Sequence, residues 1–206
     1  MGYKLYYAPG SAAMGARVLL EEINVPYELI QTTISSDKKR PPELLALNPN
    51  GWVPVLIYGD TAMYEGAAIA MFLCDRHPEA KLAPKIDAPE RGLFFQTLVY
   101  FSSSVQNAFQ LNYYPERFAD TSADELSAQR RGIRRLRETW KVIDDQIGNN
   151  EWVLGDKLSA VDIYLFMLTT WLDPTRGHPP TDEFPNVKRI ADAVMSRPSV
   201  RFVYDQ

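Results

Sequence analysis

The apolar positions of this chain keep two rhythms, one in each part. Over the first eighty or so residues, short β-like runs alternate with helical ones. Tyr3-Lys4-Leu5-Tyr6-Tyr7 has the aromatic content and alternation of a strand and ends at the turn residues Ala8-Pro9-Gly10. The next run predicts a helix from Ser11 or Ala12 to Ile23, stopped by Asn24 and Pro26. Tyr27 to Gln31 reads as a second strand and Pro42 to Leu47 as a short helix. Val55 to Tyr58 and Ala62 to Tyr64 form a hairpin around Gly59-Asp60, and Glu65 to Arg76 makes a helix closed by His77-Pro78. The order βαβαββα predicts a small α/β sandwich.

From Pro89 onward the strand signals vanish. Arg91 to Tyr113 reads as one long helix. In the next, Leu126, Ile133, Leu136, Trp140, Ile143 and Ile147 recur at three- and four-residue steps, an apolar stripe facing a core. Its other face carries Arg130, Arg131, Arg134, Arg135 and Arg137, as a solvated helix face does. Ala160 to Trp171 is apolar on nearly all sides, which predicts the buried central helix of a bundle, and Ser159 with Asp162 has the form of a capping box. The fold class is therefore α/β plus all-α: an α/β domain at 1–80, a linker at 81–88 containing Pro84, and a helical domain at 89–206.

Composition narrows the function classes. At 206 residues, 46% hydrophobic and 23% charged, the chain has the balance of a soluble globular protein with room for two cores. A net charge of −4 offers no general attraction to nucleic acid or anionic membrane, and no apolar run reaches membrane-spanning length. A single cysteine excludes an internal disulfide framework, and its apolar helical setting makes Cys74 a core residue. His77 and His178 lack ligand spacing, so no metal site is expected. Cytoplasmic location is the expectation.

One segment resists a purely structural reading. Asn48-Pro49-Asn50-Gly51-Trp52 is a turn signal running into Val53-Pro54, a proline at the mouth of a β-run. If the Val53–Pro54 bond is cis, the Val53 backbone can pair with a bound peptide as an added strand would. An ordinary loop proline is the alternative.

Taken with Tyr6-Tyr7-Ala8-Pro9-Gly10-Ser11, with Glu65 before Ala68-Ile69, and with the Ser159/Asp162 cap, this segment resembles the cytosolic glutathione transferase family over nearly the whole chain. The resemblance implies a thioredoxin-like domain joined to a helical bundle, a homodimer, a cis bond at Val53–Pro54, and glutathione as co-substrate with no resident cofactor. It implies transfer of the glutathione thiolate to a small apolar electrophile in detoxification. A glutathione-binding or protein-interaction module with little turnover is the competing reading.

Site residues follow position by position. Ser11, after Pro9-Gly10, resembles the hydroxyl that holds the thiolate in serine-type members; its plainer role is a helix cap. Tyr7, or Tyr6, is the rival phenol of tyrosine-type members. Ala12 stands where cysteine-type bacterial members carry their cysteine. Val53 and Pro54 resemble the backbone clamp for the cysteinyl unit, and Glu65 the acid that meets the γ-glutamyl ammonium. Gly66 departs from the usual serine there, so glutathione binding is expected to be weakened. Lys38 or Lys39 resembles the glycyl-carboxylate contact, and Gln106 stands where some bacterial members place a histidine facing the thiol. Tyr100, Phe101, Phe109, Tyr113, Tyr114 and Trp171 are candidates for an apolar electrophile wall or for plain core.

Overall fold

The computed structural model describes residues 2–35 and 39–205 and resolves into two compact units. The first holds residues 1–85 together with 196–206, and the second 86–195. The division after Lys85 lies inside the expected linker. The helical unit ends at Met195, however, and does not run to the C-terminus.

In the first unit, β1 (Tyr3–Tyr7), α1 (Ala13–Ile23), β2 (Tyr27–Gln31), α2 (Pro42–Leu47), β3 (Val55–Tyr58), β4 (Thr61–Tyr64) and α3 (Gly66–Arg76) follow the expected order. The sheet runs β2-β1-β3-β4, with β1 parallel to β2 and the other neighbours antiparallel. Leu5, Leu56, Leu19, Leu20, Ile69 and Leu73 are fully buried, so the alternation of the strands meets the apolar stripes of α1 and α3. Asn24 closes α1 in the left-handed conformation, which its short polar side chain tolerates.

The last helix, α9 (Pro198–Tyr204), packs on α1. Glu22 at the end of α1 accepts from Nε and Nη2 of Arg197, both at 2.7 Å, and from the Ser199 hydroxyl. Burial pushes the Glu22 carboxyl up, but the guanidinium and hydroxyl outweigh it and leave it below its ordinary value. Nothing near Glu22 in sequence announces this pair.

The second unit contains α4 (Glu90–Tyr100), α5 (Gln106–Tyr113), α6 (Ser122–Ile147), α7 (Ala160–Thr169) and α8 (Pro185–Met195). The single long helix expected over 91–113 is interrupted by a π-helical turn at Phe101–Val105. The hydroxyls of Ser102 and Ser103 both donate to the Val99 carbonyl, at 3.0 and 2.8 Å, competing with the backbone ladder there. Across from α5, Gly132 of α6 lets two helices touch. A Cβ on it would stand 2.9 Å from the Ala108 carbonyl oxygen.

The apolar stripe of α6 is buried from Gly132 onward, with Leu136, Trp140, Ile143 and Ile147 at its centre. Leu126 departs from expectation: it is 61% exposed, because no residue before Gly132 in this helix is buried. The arginines lie on the outer face, where Arg131 and Arg135 meet Glu138 and Arg137 meets Glu183. α7 is the buried central helix, with every residue from Ala160 to Leu168 inside.

Candidate functional site

Three chain reversals collect at one end of the sheet. The register pairs Tyr6 with Val55 and Val55 with Tyr64. The end of β1, the start of β3 and the end of β4 therefore lie side by side, bringing the turn with Ser11, the Val53–Pro54 segment and Glu65-Gly66 to the same edge. Tyr6 and Val55, 49 residues apart in sequence, and Val55 and Tyr64, 9 apart, become adjacent strand ends.

The middle reversal is the most constrained. The Val53–Pro54 bond is cis. The Val53 side chain is buried with Ala8, Ala13, Leu44 and Val55. Among the described residues, no hydrogen bond engages the Val53 N–H or C=O. Asn48, 3% exposed, holds the turn from within: its amide donates to the Trp52 carbonyl at 2.9 Å and its oxygen accepts from the Asn50 N–H at 3.1 Å. Gly51 has φ 67°, and a Cβ there would meet Arg40 Cγ at 2.8 Å, so this position requires glycine.

Arg40 is the residue that sequence reasoning missed. Its Nε donates to the Gly51 carbonyl at 3.0 Å, Nη1 to Ser35 at 2.8 Å and Nη2 to Ile34 at 3.0 Å. One guanidinium thus ties the segment after β2 to the clamp turn. The only local hint is a basic residue directly before Pro41-Pro42. Its partners are fixed by the fold, which no sequence spacing encodes.

On one flank, Glu65 precedes α3 with φ 75° and ψ 108°. A non-glycine residue in that region is costly and is found where the surroundings impose it. Its carboxylate is exposed and makes no cap to α3, so the capping role is not realised. The Ile69 N–H is the one that returns to the Glu65 carbonyl, at 2.9 Å. The N–H groups of Gly66, Ala67 and Ala68 accordingly precede the helical ladder and point out of its positive end.

On the other flank, Gly10 turns with φ 70° and Ser11 follows, 5% exposed. The Ser11 hydroxyl donates to the Ala8 carbonyl at 2.6 Å and accepts from the Ala13 N–H at 3.2 Å. The helix-start role of this serine is therefore filled, and its proton is directed at Ala8. Tyr7 is half-buried; its phenol donates to Gln31 Oε1 over a long 3.5 Å.

The remaining sequence candidates lie in the segment before α2 or in the helical unit. Lys39 is exposed, and Lys38 lies outside the described residues. Gln106 opens α5 in the helical unit, where its amide oxygen accepts from the Tyr164 hydroxyl at 2.5 Å. Phe101 and Phe109 are plain core: Phe101 stacks on Tyr164 at 5.9 Å, and Phe109 meets Trp171 edge-on at 5.5 Å. Tyr100, Tyr113, Tyr114 and Trp171 are half-buried, and the Tyr113 phenol donates to the Trp171 carbonyl at 2.8 Å.

The site is thus a row of unanswered backbone donors between two helix starts, with a carboxylate at one end and a hydroxyl at the other. Such a row suits an extended, anionic peptide-like ligand.

Known proteins bear on this geometry. A family model described as the glutathione S-transferase N-terminal domain matches residues 5–81, and the C-terminal domain model matches 98–198. The GST-like protein YncG of Escherichia coli strain K12, itself described as uncharacterised, is 32% identical over 203 residues, covering 97% of this chain and 96% of its own. A glutathione transferase homologue from Sulfitobacter, solved with bound glutathione, superposes with a TM-score of 0.90 at 24% identity, over 99% of this chain and 97% of its own. The bacterial enzyme BphK, solved as a ternary complex, is 28% identical with a TM-score of 0.83, covering 98% of each chain.

Proposed function

This chain belongs to the glutathione S-transferase family, and on that premise we propose that it transfers the glutathione thiolate to a small apolar electrophile. The observation that carries the reading is the unpaired Val53 backbone set between the starts of α1 and α3 at one sheet edge. The cysteinyl unit of glutathione pairs with Val53 as an antiparallel strand. The γ-glutamyl carboxylate takes the N–H groups at the start of α3, and its ammonium meets Glu65. Lys39 is the candidate for the glycyl carboxylate.

A free thiol ionises near pH ~8.5, so only a few per cent is thiolate at neutral pH. A hydrogen bond to the anion contributes about 1.5–3 kcal/mol. To supply it, the Ser11 hydroxyl must turn from the Ala8 carbonyl, giving up a bond worth about 1 kcal/mol. The net gain of roughly 0.5–2 kcal/mol lowers the thiol pKa by up to about 1.5 units, aided by the positive end of α1. The thiolate sulfur then attacks carbon; a C–S bond forms, and the leaving group departs with its electron pair. Tyr7 is the rival donor.

Three features favour a second reading, glutathione binding with little turnover. They are Gly66, the commitment of the Ser11 proton to Ala8, and the pairing of Gln106 with Tyr164. Retention on glutathione-agarose together with conjugation of chlorodinitrobenzene separates the two readings. Binding without conjugation removes the transferase reading, and neither removes both. Ser11→Ala should cut kcat/KM about tenfold and raise the bound thiol pKa by about one unit. Unchanged thiolate absorbance takes Ser11 out of the role. Membership of the family supports assembly as a homodimer, measurable by sedimentation.

A further inference from the structure

Arg17 lies in the second turn of α1 and is 6% exposed. Burying a guanidinium is costly unless its surroundings compensate. Here aromatic rings contribute: its Cζ is 5.7 Å from the ring centroid of Tyr7, at the end of β1, and 5.9 Å from that of Phe202 in α9. A planar guanidinium stacks on aromatic faces in a way an ammonium cannot. The same group reaches the hydroxyl of Tyr27, which donates to Glu21 one turn further along α1. Helix α9 is itself pinned to α1 by Glu22, Arg197 and Ser199.

These contacts span the turn that carries Ser11. Residues 8–12 connect Tyr7, the last residue of β1, to Ala13, the first of α1. Gly10 at the tip has open space where a side chain would be. Among the described residues, the Ser11 hydroxyl bonds only to its own neighbours Ala8 and Ala13. Arg17 joins the strand before the turn to the helix after it. We propose that Arg17 is a positioning residue for the thiol end of the site, and that Phe202 of the C-terminal helix backs it. The brace sets the spacing at which the Ser11 hydroxyl and the start of α1 meet sulfur, and in this it rests on the glutathione reading above. The far end of the sequence thereby acts on a turn near its beginning.

Arg17→Lys keeps the charge and loses the plane, and Phe202→Ala removes a ring that is 54% exposed. Amide exchange in the ligand-free protein reads the brace directly. Both variants should speed exchange at residues 10–13 about tenfold while the start of α3 stays unchanged. With glutathione bound, the thiol pKa should rise by about half to one unit, while the glutathione Kd stays within about twofold. Phe202→Trp, which restores a ring face, should return both readings to those of the wild type. Unchanged exchange in the turn overturns the proposal. So does a uniform loss in which α3 exchange, Kd and thiol pKa all move together. A wild-type protein that binds no glutathione sinks the reading of the preceding subsection, while the exchange comparison still decides the brace.

Discussion

In the helical unit, the N–H groups that begin α7 and α8 are answered by side chains. Ser159 caps α7 through the Val161 N–H, and Asp162 accepts from the N–H groups of Val153 and Ser159, each at 2.8 Å, and from the Ser159 hydroxyl. Asp144 reaches from α6 to the N–H groups of Asn186 and Val187 at the start of α8, at 2.8 and 2.9 Å. In the α/β unit, the Ser11 hydroxyl answers the Ala13 N–H at the start of α1, but α3 has no side-chain cap. Both types of helix end carry the same orphan donors. The helical unit spends them on its own stability at α7 and α8; the α/β unit leaves those of α3 open at the sheet edge, as an anion-binding site requires.

That contrast is easiest to break at Asp162. Replacing it with alanine strands two buried N–H groups and a hydroxyl, so Asp162→Ala should lower the unfolding free energy by about 3 kcal/mol, read as a shifted denaturant midpoint. A loss under about 1 kcal/mol would mean the cap is dispensable and the contrast between the units is superficial.

Gly66→Ser tests the open end in the opposite sense. A hydroxyl at the first position of α3 adds a donor for the γ-glutamyl carboxylate and should tighten glutathione about tenfold, with little change in melting temperature. Titration calorimetry on both proteins decides it. No gain would show that the backbone donors already satisfy the ligand, or that the carboxylate lies elsewhere.

The smallest effects concern acid. In the helical unit His178 is 2% exposed; its Nδ1 accepts from the Asp173 N–H at 3.1 Å and its Nε2 meets Asn112 Oδ1 at 2.9 Å. Burial pushes its pKa below the ordinary 6.5, so below that pH the unfolded chain takes up the proton first. Stability from this group is complete above pH 6.5 and declines as pH falls toward the folded value. Glu22, held below its ordinary 4.5, keeps its contribution above that pH and loses it only at lower pH. His178→Gln should therefore flatten the stability-versus-pH curve below 6.5, and Glu22→Gln only below 4.5. A curve for either variant that parallels the wild type removes that group from the acid response.

Much of the fold was legible because its signals are local. Asn24 and Pro26 end α1, Gly59-Asp60 turns the hairpin, and Ser159 with Asp162 starts α7; each acts within four residues of the element it bounds. The site was legible in part. Ser11, Val53 and Glu65 stand at element boundaries that turn chemistry marks, and the sheet register then brings them to one edge. Arg40 was missed because its carbonyl partners lie in two separate loops. Leu126 was misread because a periodic apolar position says nothing about whether a partner surface reaches that far along a helix.

By itself, then, the sequence determined the strands and helices between Tyr3 and Arg76, the start of α7, and which residues stand at their boundaries, since propensity, turn conformation and capping act over a few residues. Tertiary structure alone decided that α9 belongs with the α/β unit, that the Ser11 proton faces Ala8, and that Arg17 lies between rings from the two ends of the chain. Those outcomes depend on which groups share a buried space. That is settled only when distant segments compete for the same donors and the same apolar surface.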